Sequence, residues 1–210
     1  MPSSQHLRAR VIILAGPSGS GKTSLSTRTG IPALSLDHFY RDHTEADMPR
    51  FANGIIDWDT PESWNRGDAL EALLTLCRTG QARIPVYDIP TSLRTGTMTW
   101  TLAPEQRIFI AEGIFATTLI SDLKSAGVLA DALCIARSPL RNMWFRLLRD
   151  LGEGRKSTPI LLWRGAHLAI GEPRQVKKWI ADGARPIPSL EQAEQRLRLL
   201  AREEGATPPS

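Results

Sequence analysis

Apolar positions along the chain fall into short unbroken runs separated by stretches of helical period, and that alternation sets the expected architecture. Val11-Ile12-Ile13-Leu14 is apolar at every position and leads into glycine-rich sequence, the pattern of a strand buried on both faces of a parallel sheet. Ala33 to Leu36, Arg107 to Glu112 and Ala132 to Ala136 repeat the pattern. Between the runs the spacing predicts helices. One starts near Lys22 and stops at Gly30, with Pro32 beyond it. A second covers about Asp68 to Thr79 and closes at Gly80, with Leu70, Leu73, Leu74 and Cys77 at i, i+3, i+4, i+7. A third runs from Pro139 to Leu151 with its leucines and Trp144 inward, and a last one begins at Ser189, which has capping-box spacing to Gln192. The β-branched stretches Arg83 to Tyr87 and Thr97 to Leu102 suggest strands of a small separate sheet. Strands alternating with helices imply an α/β fold, a parallel sheet flanked by helices on both faces.

With 210 residues, 41% of them hydrophobic, the chain can bury one core and has little room for a second domain. The expected organisation is a single domain over 1–210. Within it lie an aperiodic substrate-side loop at about 41–60, a small β insertion at about 83–103, a helical lid at about 146–165 and a disordered tail at 205–210. Cys77 and Cys134 each continue an apolar pattern and read as core residues. The run after Arg10 is too short for a signal peptide, and no stretch approaches the ~18 apolar residues of a membrane span. A cytoplasmic location and no membrane partner are therefore expected. The net charge is +4, and residues 141–164 carry six basic against two acidic side chains, an excess as large as that of the whole chain. A cluster so local suits a compact polyanion better than a nucleic-acid backbone.

Candidate chemistry starts at the end of the first strand. Gly16-Pro17-Ser18-Gly19-Ser20-Gly21-Lys22-Thr23 satisfies G-x-x-x-x-G-K-[ST] between an expected strand and an expected helix. The glycines let backbone N–H groups wrap a phosphate at a positive helix N-terminus, Lys22 brings a charge to the β/γ-phosphates, and Thr23 offers Mg²⁺ a hydroxyl. Gly16, Ser18, Gly19, Ser20, Gly21, Lys22, Thr23 and the adjacent Ser24 are the candidate ATP contacts. Glu112 ends the strand Ile108 to Glu112 and is the candidate for the Mg²⁺ shell, together with Thr23. Asp37, at the end of the second strand, is placed to accept a proton from an attacking hydroxyl. Arg146 and Arg149 share one helix face, and Arg155 and Lys156 follow in a glycine-flanked loop, so these groups can close over a triphosphate. Arg149 joins Lys22 and Asp37 as a catalytic candidate, with Arg146 and Arg155 on the nucleotide. His38 and His43 read as loop or solvent histidines rather than metal ligands, for want of a third ligand at useful spacing.

The P-loop, Leu36-Asp37-His38-Phe39-Tyr40-Arg41, Asp57-Trp58-Asp59-Thr60-Pro61, Ile84-Pro85-Val86-Tyr87-Asp88, Ala111-Glu112-Gly113-Ile114 and Leu148-Arg149-Asp150 occur in the order of the uridine kinase family, which the chain resembles over about residues 10–165. The resemblance implies transfer of the γ-phosphate of ATP to a nucleoside 5′-hydroxyl, with uridine or cytidine as the acceptor and Asp37 as the base. It also implies acceptor contacts from Tyr40, Trp58, Asp59, Tyr87 and Arg94, with Asp59 a buried partner of the ribose hydroxyls. Two positions depart from the family. Ser92 stands where it commonly has histidine, and Glu153-Gly154-Arg155-Lys156 stands for its usual Glu-Arg-Gly-Arg. Alternatives are a kinase of another hydroxyl compound such as pantothenate, phosphoribulose or a sugar, and an ATP-binding regulatory protein. A guanine-nucleotide switch is disfavoured, because no asparagine is followed by lysine. Homo-oligomerisation is left open.

Overall fold

The structure, a computed structural model, describes residues 7–17, 19–136 and 173–205. Ser18, Arg146, Arg149, Arg155, the expected 139–151 helix, the 146–165 lid and the tail beyond Gly205 lie outside the described residues.

Five parallel strands make the sheet: β1 (Arg10–Ala15), β2 (Ala33–Ser35), β5 (Ile108–Glu112), β6 (Leu129–Ile135) and β7 (Arg185–Ile187), in the order β2-β5-β1-β6-β7. The central strands are the apolar runs of the sequence, and their alternate residues feed two cores. Val11, Ile13, Phe109 and Ala111 face α2 (Arg66–Thr79) and α3 (Ile120–Ser125), joined there by Trp179 from helical residues 173–181 (α4). Ile12, Leu14, Ile108, Ile110 and Leu133 face α1 (Lys22–Thr29) and α5 (Leu190–Glu203) through Leu25, Ala193 and Leu197. Helices thus cover both faces, which explains why these strands are apolar throughout.

Helix ends follow their local chemistry. Asn65 caps α2, its side chain accepting the Asp68 N–H, so the helix starts two residues before the expected Asp68. Gly80 ends it in the left-handed region at φ 81°. The Ser189 hydroxyl accepts the Gln192 N–H at 3.2 Å at the start of α5, as its spacing predicts. β7, unlike the others, has no sequence signature. It is three residues, Arg185-Pro186-Ile187, and its proline is tolerated at the sheet edge, where no outer neighbour among the described residues needs the missing N–H.

The small sheet is an antiparallel hairpin of β3 (Gln81–Asp88) and β4 (Leu93–Thr101), longer than the two expected segments. Residues 41–60 contain no helix or strand, only an isolated bridge between Arg50 and Ile56. Both cysteines are free and buried. Among the described residues no helix is long and apolar enough to cross a membrane.

Candidate active site

Everything chemically suggestive collects at the C-terminal edge of the sheet. β1 ends at Ala15 and opens into the P-loop, while Glu112 at the end of β5 sits in register with Leu14 on one side and Ser35 on the other. The glycines of the loop are required where they stand. Gly21 caps α1 at φ +93°, and a Cβ there would lie 2.7 Å from Leu190 Cδ1. A Cβ on Gly16 would lie 2.8 Å from the Ser20 hydroxyl oxygen. No side chain caps α1 and its first turn holds no acid, so its N-terminal N–H groups and partial positive charge face the loop. Lys22 Nζ donates to the carbonyls of Gly16 (2.7 Å) and Pro17 (3.3 Å). Thr23 and Ser24 are exposed at the mouth of the loop.

One feature of this cradle tests its fit to a phosphate. The Ser20 hydroxyl is fully buried and has no hydrogen-bond partner among the described residues, a costly state for a polar group. An oxygen-rich anion inside the loop would satisfy it. Thr23 and Glu112 likewise suit Mg²⁺, which takes one or two protein oxygens and completes its shell with water and phosphate oxygens.

Asp37 is not at a strand end, as the sequence suggests. β2 stops at Ser35, whose hydroxyl accepts the Asp37 N–H at 3.3 Å and turns the chain into a 3-10 turn over Leu36–Phe39. The turn carries Asp37 across to β5: a Cβ on Gly113 would lie 3.5 Å from its carboxylate oxygen. Trp64 secures the turn from below, its buried indole N–H donating to the Leu36 carbonyl at 2.8 Å. Burial raises the Asp37 pKa above its ordinary value, opposed by the charges of Lys22 and His38. Burial also raises that of Glu112, with Lys22 lowering it and Asp37 adding to the rise. Two half-buried carboxylates and one ammonium therefore share a field. An acid whose basicity is raised and a cation held among phosphate-seeking groups can move a proton and stabilise an anion.

Aromatic residues line the space beyond Asp37. Tyr40 meets Trp58 edge-on at 5.8 Å, Tyr87 at 5.8 Å and Phe115 at 6.1 Å. Burial, with Asp37 and Asp59 adding negative charge, pushes the Tyr40 phenol far up, so it stays a neutral donor. The Tyr87 hydroxyl donates to the Arg41 carbonyl at 3.3 Å. Asp59, in contrast, is exposed rather than buried, because the Asp57 side chain accepts its N–H at 3.0 Å in a surface turn. Its carboxylate stands at the rim. Arg94 is a clamp behind the aromatic wall, its Nε donating to the Tyr40 carbonyl at 3.1 Å and its N–H to Asp42 at 2.6 Å, with Asp68 at 3.8 Å.

Three residues at the site escaped the sequence reading. Phe115 and Trp64 stack at 5.7 Å beneath Tyr40 and are recognisable only once the loops are folded together. His38 is not a solvent residue: it is half-buried, and its Nδ1 accepts the Tyr87 N–H at 3.4 Å, tying the Asp37 turn to β3. Its place beside Asp37 was the available signal. His43 is exposed, as expected, and meets the Ser92 carbonyl at 3.2 Å.

The model of the Phosphoribulokinase / Uridine kinase family matches residues 11–131, more than half of the chain. A curated uridine kinase of Deinococcus deserti is 29% identical over 92% of this chain and 97% of its own length. A curated uridine kinase of Schizosaccharomyces pombe is 30% identical over 151 residues, 66% of this chain, which spans only 33% of that relative. Among solved structures, one assigned as a fructose transport system kinase of Silicibacter sp. TM1040 superposes with a TM-score of 0.59 at 18% identity. It covers 90% of this chain and 91% of its own. That likeness concerns the fold.

Proposed function

The chain belongs to the phosphoribulokinase / uridine kinase family, phosphotransferases with an alcohol acceptor, and from that premise we propose that it transfers the γ-phosphate of ATP to the 5′-hydroxyl of a nucleoside, uridine or cytidine. One observation carries the reading. Asp37 lies within the field of Lys22 and Glu112 on its inner side, and the Tyr40 ring that feels its charge belongs to the wall of Trp58 and Tyr87. A proton acceptor therefore stands between a polyanion cradle and an aromatic wall.

In this reading the P-loop N–H groups and Lys22 hold the β- and γ-phosphates. Thr23 and Glu112 would hold Mg²⁺, which would neutralise charge on the phosphate oxygens. Asp37 takes the proton of the 5′-hydroxyl as its oxygen bonds to the γ-phosphorus and the bond to the β-phosphate bridging oxygen breaks, leaving ADP. Phosphoryl transfer has a loose transition state with charge spread over the γ-oxygens, so positioning and electrostatics dominate over base strength. Tyr40, Trp58 and Tyr87 supply the apolar and edge contacts that orient the acceptor. Arg146, Arg149 and Arg155 remain candidates for the lid. Asp59 reaches the ribose hydroxyls from the rim.

The test is the identity of the product. With ATP, Mg²⁺ and uridine or cytidine, ³¹P NMR should show a nucleoside 5′-monophosphate. Phosphorylation of pantothenate or a sugar, with neither nucleoside modified, would remove the nucleoside while leaving the kinase.

A further inference from the structure

The turn that carries Asp37 is fastened on its strand side by the Ser35 hydroxyl, which accepts the Asp37 N–H, and by Trp64 at the Leu36 carbonyl. Beyond Asp37 the fastening is to the hairpin. The hairpin register breaks between Val86 and Tyr87, and there the Tyr87 N–H donates to His38 Nδ1 at 3.4 Å. The contacts continue along the chain. The Tyr87 hydroxyl donates to the Arg41 carbonyl, Arg94 Nε to the Tyr40 carbonyl and the Arg94 N–H to Asp42, while the His43 N–H donates to the Ser92 carbonyl at 3.1 Å. The acceptors in this seam are backbone carbonyls and a carboxylate, except at His38. An imidazole nitrogen accepts a hydrogen bond only while unprotonated, and imidazole is the side chain that takes its proton near neutrality. His43 differs, because its Nδ1 donates to the Ser92 carbonyl at 3.2 Å, a bond that survives protonation.

We propose that His38 is a positioning residue for Asp37: its neutral imidazole, with the proton on Nε2, locks the base-bearing turn to the hairpin, and protonation at Nδ1 releases it. This role rests on the phosphotransfer reading, in which Asp37 is the base. Protonation acts twice. It sets an N–H against the Tyr87 N–H, which removes the fastening next to Asp37, and it puts a positive charge beside the carboxylate, which lowers its basicity. Asp37 on the same turn and Tyr87 on β3 are the titratable groups at His38, while Asp68 of α2 faces Arg94 instead. Burial outweighs the Asp37 charge and holds the His38 pKa below its ordinary value of 6.5. The locked form is therefore present at neutral pH and is lost as pH falls through that lowered value. Holding the turn matters because a 1 Å misplacement of a reacting group costs on the order of 10²-fold in rate.

His38→Leu and His38→Asn separate the bond from the proton. Leucine fills the space and accepts nothing, whereas the asparagine Oδ1 takes the place of Nδ1 and accepts the Tyr87 N–H at every pH. With ATP, Mg²⁺ and uridine at about pH 8, His38→Leu should lose about tenfold or more in kcat with the KM for ATP unmoved, and His38→Asn should recover most of that loss. The acid limb of kcat should steepen from one proton to two in the parent and stay at one in His38→Asn. The Tyr87 amide ¹H–¹⁵N resonance reads the lock without turnover. It should shift where the His38 ring titrates in the parent and lose that step in His38→Asn. A Tyr87 amide indifferent to His38, a His38→Leu variant as fast as the parent, or a second acid step surviving in His38→Asn overturns the proposal. If His38→Leu fails to fold, the asparagine variant decides alone. A chain that turns over no acceptor while the Tyr87 amide titrates removes the phosphotransfer reading, and with it the role of the lock in catalysis.

Discussion

Asp37→Asn separates chemistry from architecture more cleanly than any other change at this site. Asparagine keeps the side-chain shape, and the bond that shapes the turn runs from the Asp37 backbone N–H to the Ser35 hydroxyl, so the 3-10 turn should persist. What disappears is the proton acceptor. General-base assistance contributes roughly 10²–10⁴-fold, which corresponds to about 2.7–5.5 kcal/mol of activation free energy. The value of kcat should fall by that factor while ATP affinity changes little, since the cradle is built from the P-loop. Stability should move the other way. Burial raises the folded-state pKa of Asp37, so its contribution to stability is fully present below the ordinary value of 3.8 and is lost as pH rises through the raised folded value. At neutral pH the parent bears the cost of a desolvated carboxylate and the asparagine variant does not. Its melting temperature should equal or exceed that of the parent near pH 7, and the difference should shrink as pH falls toward the unfolded value. Stopped-flow turnover and thermal melts over a pH series measure both. An inactive variant that is also less stable at pH 7 would mean that Asp37 holds the fold, and an active one that it is not the base.

Lys22→Ala should nearly abolish phosphotransfer with the fold intact. It should also raise the Asp37 and Glu112 pKa values further, because Lys22 lowers both; carboxyl ¹³C titration reads this, and unmoved values would deny the shared field. Trp64→Phe removes the indole donor from the Leu36 carbonyl and shrinks a buried ring, which should cost roughly 1–3 kcal/mol in urea unfolding. It should lower kcat through the Asp37 turn, and a stability change within error would show that the indole bond does not hold that turn. The 2′-deoxynucleoside should be poorer by only about fivefold in kcat/KM, because water can solvate an exposed Asp59 left without its hydroxyl. A loss near a hundredfold would mean that Asp59 becomes buried when the acceptor binds.

The parallel sheet and its P-loop were legible because each depends on short stretches of sequence: apolar runs, glycines and one lysine. The hairpin was legible in outline through its β-branched residues. The base-bearing turn was not, since Leu36 continues the apolar run of β2 and only the Ser35 hydroxyl taking the Asp37 N–H ends the strand one residue early. Long-range partners were equally hidden. Trp64 reaches Leu36 across 28 positions and Tyr87 reaches His38 across 49, and neither pairing leaves a local signature. The exposure of Asp59, expected to be buried, was hidden because a motif carries residue type without exposure. The surroundings of Arg94 were hidden too: its Nε donates to the Tyr40 carbonyl, its backbone N–H to Asp42, and Asp68 lies 3.8 Å from its guanidinium.

The central claim is that this site passes phosphate to a bound hydroxyl, and acceptor-dependent release of ADP tests it most directly. With ATP and Mg²⁺ held constant, the parent chain should release ADP on the order of 10²-fold faster when uridine or cytidine is added. Asp37→Asn should lose that stimulation. ADP release at one rate with and without every nucleoside, pantothenate and sugar in the panel would contradict the account and leave a protein that hydrolyses or only binds the nucleotide.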